Sequence, residues 1–209
     1  MRVLITGFEP FGGDAENASR EAVLRLASEG VDDVELVAGI LPVAFATAPP
    51  ALRALVAQHA PDAVLAVGEA GGRVTVTPER HGRNRMDARI PDERGDRPRD
   101  EPVDDGPALR PATLDVDALV AAIRSARVPA EASEDAGGFV CNRIAVEVAG
   151  LGVPAAFVHV PAVRSAGVAG VGGETDARGG RATRLTIDDL AVALAACVRS
   201  AVAQVGAGH

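Results

Sequence analysis

The chain has 209 residues, 47% of them hydrophobic, with a formal net charge of -8 and a pI near 5.0. That is enough apolar chain for one sizeable core, so a single domain over residues 1–209 is expected. The acidity argues against nucleic acid, which is bound by clustered basic surface, and an aromatic share of 2% without Trp or Tyr leaves no base-stacking platform.

RVLITGF (2–8) is a compact apolar run stopped by Pro10 and the Gly12-Gly13 pair, which predicts a buried strand. ASREAVLRLASEG (18–30) places Ala22, Val23, Leu26 and Ala27 on one face and ends at Gly30, a helix with a glycine stop. VELVAGILPV (34–43) reads as a strand and PPALRALVAQHA (49–60) as a helix opened by its prolines. DAVLAVG (62–68) is a third strand, running into EAGGRVTVTPER. Residues 79–112 follow as a polar, Arg-rich segment, long enough to be functional or to carry small elements of its own. Helices are predicted at 116–126 and from Cys141 through 143–152, a strand at 154–161, and a long final helix at 186–208 with Thr186 as N-cap. Residues 164–183 read as a mobile glycine-rich loop. Alternating strands and helices predict a three-layer α/β/α sandwich around a mostly parallel, twisted sheet.

MRVLITGFEPFGG is strand-like and lacks the features of a signal peptide. No uninterrupted apolar run is read as a bilayer span. With Cys141 and Cys197 as the two cysteines there is no disulfide framework, and the expected setting is a reducing cytoplasm. No membrane partner is expected, and Asn17-Ala18-Ser19 is not expected to be glycosylated there.

TGFEPFGGDAENAS lacks the spacing of a phosphate-binding loop, and the chain has no lysine. Phe8 and Phe11, in the turn after the first strand, are either loop packing or the apolar wall of a pocket at the strand ends. Cys141 follows Gly137-Gly138 and opens a helix, where the dipole is expected to lower a thiol pKa. It is a nucleophile there or a small buried hydrophobe; Cys197, mid-helix, reads as core. Of the four histidines, His209 is terminal, His81 sits in the mixed-charge segment, and His59 ends a helix away from the ligand edge. His159 interrupts an apolar strand near its C-terminal end, where open α/β sheets bind ligands. Glu79, at the start of the long segment, is a candidate carboxylate to orient it. An inward-turned arginine from that segment would stabilise an oxyanion. No His/Cys/Asp cluster has metal-ligand spacing, so no metal and no cofactor are expected.

Several blocks in register carry a resemblance. TGFEPFGG with NAS, LPVAF (41–45), VGEAGGR (67–73), ER…N…DARIPD (79–92), GGFVCN (137–142) and FVHVP (157–161) resemble the pyroglutamyl peptidase I family of cysteine peptidases across nearly the whole chain. The resemblance implies a Cys-His-Glu triad of Cys141, His159 and Glu79 acting on peptides with an N-terminal pyroglutamyl residue. It implies that Phe8, Phe11, Ile90, Phe139 and Val140 line a slot for the lactam ring. Arg89 with the Cys141 backbone N–H would hold the oxyanion, and Asn17 would bond the substrate. It also implies assembly into homo-oligomers. The family usually has Gln where this chain has Glu69; a carboxylate still accepts from the lactam N–H, lacks the amide's donors, and is costly in a dry pocket unless paired. A tyrosine usual after VCN is missing. Beside the peptidase reading stand a cysteine amidase with another acyl specificity and a non-catalytic binding homologue.

Overall fold

The computed structural model describes residues 1–165 and 183–207. In chain order the elements are β1 (Arg2–Phe8), α1 (Ala18–Glu29), β2 (Glu35–Leu41), α2 (Ala48–His59), β3 (Ala63–Ala70), β4 (Thr77–Pro78), β5 (His81–Arg83), β6 (Leu109–Pro111), α3 (Val116–Ser125), α4 (Val140–Val148), β7 (Ala155–Pro161) and α5 (Ile187–Ala207). The main sheet runs β2-β1-β3-β7-β4, parallel except for the short antiparallel β4 at the β7 edge.

Alternation along the strands builds the two layers flanking the sheet. Val3, Ile5, Leu65, Val67, Val158 and Val160 face α1, α3 and α5. Leu4, Val64, Ala66 and Phe157 face α2 and α4. β3 and β7 are buried on both faces, which is why their sequences read as continuous apolar runs. The helix ends follow local chemistry. Asn17 caps α1 by accepting from the Ser19 N–H at 3.0 Å, and Gly30 ends it with φ 75°. Asp115 caps α3, and Thr186 and Asp189 bond reciprocally at the start of α5.

α5 is long and apolar enough to cross a membrane by length and composition. Here Leu190, Leu194, Cys197 and Val198 are fully buried in the layer shared with α1 and α3, so it is a core helix of the sandwich. Cys197 is core, as read from the sequence.

The long segment carries elements of its own: β5 and β6 pair antiparallel, and an isolated bridge joins Met86 to Glu101. Most of the predicted 164–183 loop, and His209, lie outside the described residues.

From β1 the chain crosses to β2 on one side and returns to β3 on the other, with α1 and α2 on opposite faces. The strand order therefore reverses between β1 and β3, and the crevice beyond their C-terminal ends is where such sheets hold ligands.

Candidate active site

His159 stands two residues before the end of β7, in register with Gly68 on β3 and Thr77 on β4. Strand parity puts it on the α4 face, with Phe157, whose ring meets the imidazole edge-on at 4.9 Å. Glu79 follows β4; its N–H donates to the Phe157 carbonyl, which carries its side chain to β7. Glu79 Oε1 lies 2.7 Å from His159 Nδ1, and both residues are buried. Arg73, from the turn after β3, places Nη1 2.9 Å from the same oxygen and donates through Nη2 to the Asp135 carbonyl. Burial works to raise the Glu79 carboxyl, but the hydrogen bond and charge of His159, with the charge of Arg73, outweigh it and hold Glu79 below its ordinary value.

Cys141 is the second residue of α4. Gly137 has φ 82°, a left-handed turn that favours glycine. Gly138 passes so close to Asp87 that a Cβ would lie 2.9 Å from its carbonyl oxygen, and its own carbonyl accepts from the Asp87 N–H. The glycine pair thus turns the chain tightly onto the helix start. The buried Asn142 side chain accepts from the Arg83 N–H and donates to the Arg83 and Arg85 carbonyls, pinning that start to the long segment. The thiol rests against β3, where a Cβ on Gly68 would stand 2.8 Å from Sγ and 2.7 Å from the Phe157 ring.

The dipole argument expected a lowered thiol pKa, and the fold reverses that direction. Burial first, and then the negative charges of Glu79 and Glu69, push Cys141 up to about 12, against the opposing pull of Arg73. The sulfur is only partly enclosed and opens on the cavity, so solvent tempers the burial. The resting thiol is accordingly protonated and needs a base beside it.

A Gly68→Ala variant is expected to lose roughly a hundredfold in activity because its methyl group displaces Sγ, misplacement of about 1 Å being enough. Hydrolysis rates together with a thermal melt check this; native activity in the Gly68→Ala variant would contradict the packing.

The cavity at the sheet edge holds about 440 Å³, and Cys141 and His159 both line it. Phe8, Phe11, Phe139 and Val140 form its apolar side. Phe139 packs between Phe11 (5.4 Å) and Phe45 (5.3 Å), an aromatic contact that sequence reasoning missed in LPVAF. Glu79 lies buried behind His159 rather than on the lining.

Two expected residues sit off this lining. Arg89 is exposed and off the lining, its carbonyl taken by Arg97, because the long segment folds back on itself there. Ile90 lines a neighbouring cavity with Phe11. Asn17 reaches the lining, but its Oδ1 accepts from Ser19 and its Nδ2 donates to the Glu9 carbonyl, so one amide N–H is left for a ligand.

Glu69 does line the cavity, and its charge is paired. Arg164 donates from Nη1 to Oε2 at 2.6 Å and from Nη2 to Oε1 at 2.7 Å, and the Ala18 N–H at the α1 start donates to Oε2. Arg164 and Arg73 were not anticipated: their partners are 95 and 6 residues away along the chain, in segments that read as turns and loops. Among the described residues no cluster of His, Cys, Asp or Glu could hold a metal ion.

A family profile described as pyroglutamyl peptidase matches residues 1–202. The chain belongs to the pyroglutamyl peptidase family. The pyrrolidone-carboxylate peptidase of Thermococcus kodakarensis is 44% identical over 168 residues, covering 77% of this chain and 81% of that one. That of Streptomyces coelicolor is 48% identical over 170 residues, 77% of each. The crystal structure of Bacillus amyloliquefaciens pyroglutamyl peptidase I superposes with a TM-score of 0.84 at 33% identity, covering 98% of both chains. The pyrrolidone carboxyl peptidase of Thermococcus litoralis gives 0.85 at 27% identity, covering 100% of this chain and 96% of that one. Members of the pyroglutamyl peptidase family are cysteine-type omega peptidases, and this chain is an enzyme of that class.

Proposed function

We propose that the enzyme removes N-terminal pyroglutamate from peptides by nucleophilic catalysis at Cys141. The observation that carries this reading is the buried Glu79–His159 contact of 2.7 Å behind a cavity lined by Cys141. With Nδ1 donating to Glu79, Nε2 is the nitrogen that exchanges protons with the thiol. His159 takes the Cys141 proton as sulfur attacks the pyroglutamyl carbonyl, and the Glu79 charge stabilises the imidazolium that forms. The oxyanion falls at the α4 start, where the first backbone N–H groups have no intrahelical acceptor. The imidazolium then protonates the departing amine, and water hydrolyses the thioester. Arg89, exposed and off the lining, is assigned no step.

The ring fits by chemistry: apolar walls from Phe8, Phe11 and Phe139 bury methylenes, while Glu69 and Asn17 read the amide. A catalytic free thiol suits a reducing compartment, so cytoplasmic location belongs to the same reading. So does assembly into homo-oligomers.

The test is fluorophore release from a pyroglutamyl amide and from a panel of other N-acyl amides. Preference for the pyroglutamyl compound supports the reading. Turnover confined to another acyl group would replace it with a cysteine amidase of different specificity.

A further inference from the structure

Glu69 is a nearly buried carboxylate, with a side-chain exposure of 9%, in the wall of the cavity whose apolar side is formed by Phe8, Phe11, Phe139 and Val140. A buried carboxylate is tolerated when its charge is offset and its lone pairs are filled. Arg164, only 7% exposed, does both by gripping the two oxygens with its two terminal nitrogens. Its Nη2 also donates to Asp14 Oδ2 at 2.8 Å and its Nη1 to the Val163 carbonyl, which fixes the guanidinium plane. Its Nε–H is buried without an acceptor. A buried donor left unpaired disfavours folding, so the arginine is poorly explained as a packing residue.

A carboxylate has about four lone-pair sites. On Glu69, Oε2 accepts from Arg164 Nη1 and the Ala18 N–H, and Oε1 accepts from Arg164 Nη2. One site on Oε1 remains to be filled. The pair therefore presents a ligand with a single fixed acceptor whose negative charge is offset in place. A ring amide supplies one N–H and no charge. A protonated ring amine of the same size, such as an N-terminal proline, is attracted by a bare carboxylate far more than by one already paired.

We propose that Arg164 is a positioning and specificity-determining residue: by clamping Glu69 it makes the wall select an uncharged ring amide over a cationic ring amine. The inference rests on the pyroglutamyl reading above and adds to it how this chain uses a glutamate there.

Pyroglutamyl and prolyl amides of one fluorophore are compared on wild type, Arg164→Ala, and the double variant Glu69→Gln with Arg164→Ala. Wild type is expected to favour the pyroglutamyl substrate strongly. Arg164→Ala is expected to raise its KM at least about tenfold and to narrow the pyroglutamyl-to-prolyl ratio by at least about tenfold, the scale of one mispaired polar contact. The double variant removes both charges and is expected to recover the pyroglutamyl KM to within about threefold, one amide acceptor replacing the clamped carboxylate. A general structural defect would lower both substrates together and leave the ratio unchanged.

The clamp is overturned if Arg164→Ala keeps the wild-type KM and ratio. Should Arg164→Ala not fold, the double variant decides, and a loss of tenfold or more in its pyroglutamyl KM overturns the proposal. Wild type that leaves the pyroglutamyl amide intact overturns the preceding reading and this one with it. Wild type that cleaves it beside an indifferent Arg164→Ala overturns the clamp alone.

Discussion

Cys141→Ser is expected to lower kcat/KM on a pyroglutamyl amide by at least about a thousandfold while the fold survives. The hydroxyl is smaller than the thiol, so the packing against Gly68 relaxes rather than clashes. What is lost is the nucleophile. The thiol is already pushed up by burial and by Glu79 and Glu69, so proton transfer to His159 is demanding, and a hydroxyl is harder still to deprotonate. Initial rates with a matched thermal melt check this. A serine variant retaining a tenth of the activity would remove Cys141 from the chemistry.

Glu79→Gln is expected to act on both rate and stability. The amide no longer carries the charge that favours imidazolium, and it can turn its N–H₂ toward Nδ1, favouring the wrong tautomer; the loss in kcat is of order a thousandfold or more. Glu79 is also 1% exposed and shared between His159 and Arg73, so its neutralisation leaves Arg73 without its buried counter-charge. Breaking one side of a buried pair destabilises by about 3 kcal/mol. The pH dependence has a definite sign. Glu79 is held below its ordinary 4.5, so its contribution to stability is present above that value and is lost as pH falls through the lowered folded value. Unfolding midpoints of wild type and Glu79→Gln are therefore expected to converge in acid below pH 4.5 and to stay apart at neutral pH. A constant gap down to the acid limit would mean that Glu79 is not an ionised partner.

The strands β1, β2, β3 and β7 and the five helices among the described residues were legible because burial imposes a period on each, and because prolines, glycines and capping side chains mark the ends. β5 and β6 were not placed, since three residues each become strands only by pairing with one another. At the site, Cys141, His159 and Glu79 each carried a local sign: a glycine pair before a helix, a histidine in an apolar strand, a carboxylate at a strand exit. The direction of the Cys141 shift carried none, because it depends on burial and on carboxylates 62 and 72 positions earlier in sequence that the fold brings near. The exposed position of Arg89 carried no sign for a similar reason. The motif around it is recognisable, but the fold of the segment decides which side chains face the cavity, and Arg89 stands outside. Gly68 shows the converse. In sequence it is one more small residue in AVLAVGEA; in the fold it is the space the thiol occupies.

The central claim is that Cys141 sulfur attacks the pyroglutamyl carbonyl and holds the acyl group as a thioester. It is tested most directly by rapidly quenching the enzyme in acid during turnover of an activated pyroglutamyl ester and weighing the intact protein and its peptides. The account predicts a mass gain of one pyroglutamyl group, located on Cys141, absent in Cys141→Ser and removed by hydroxylamine. Turnover with no adduct at Cys141, or with the group on another residue, would contradict it.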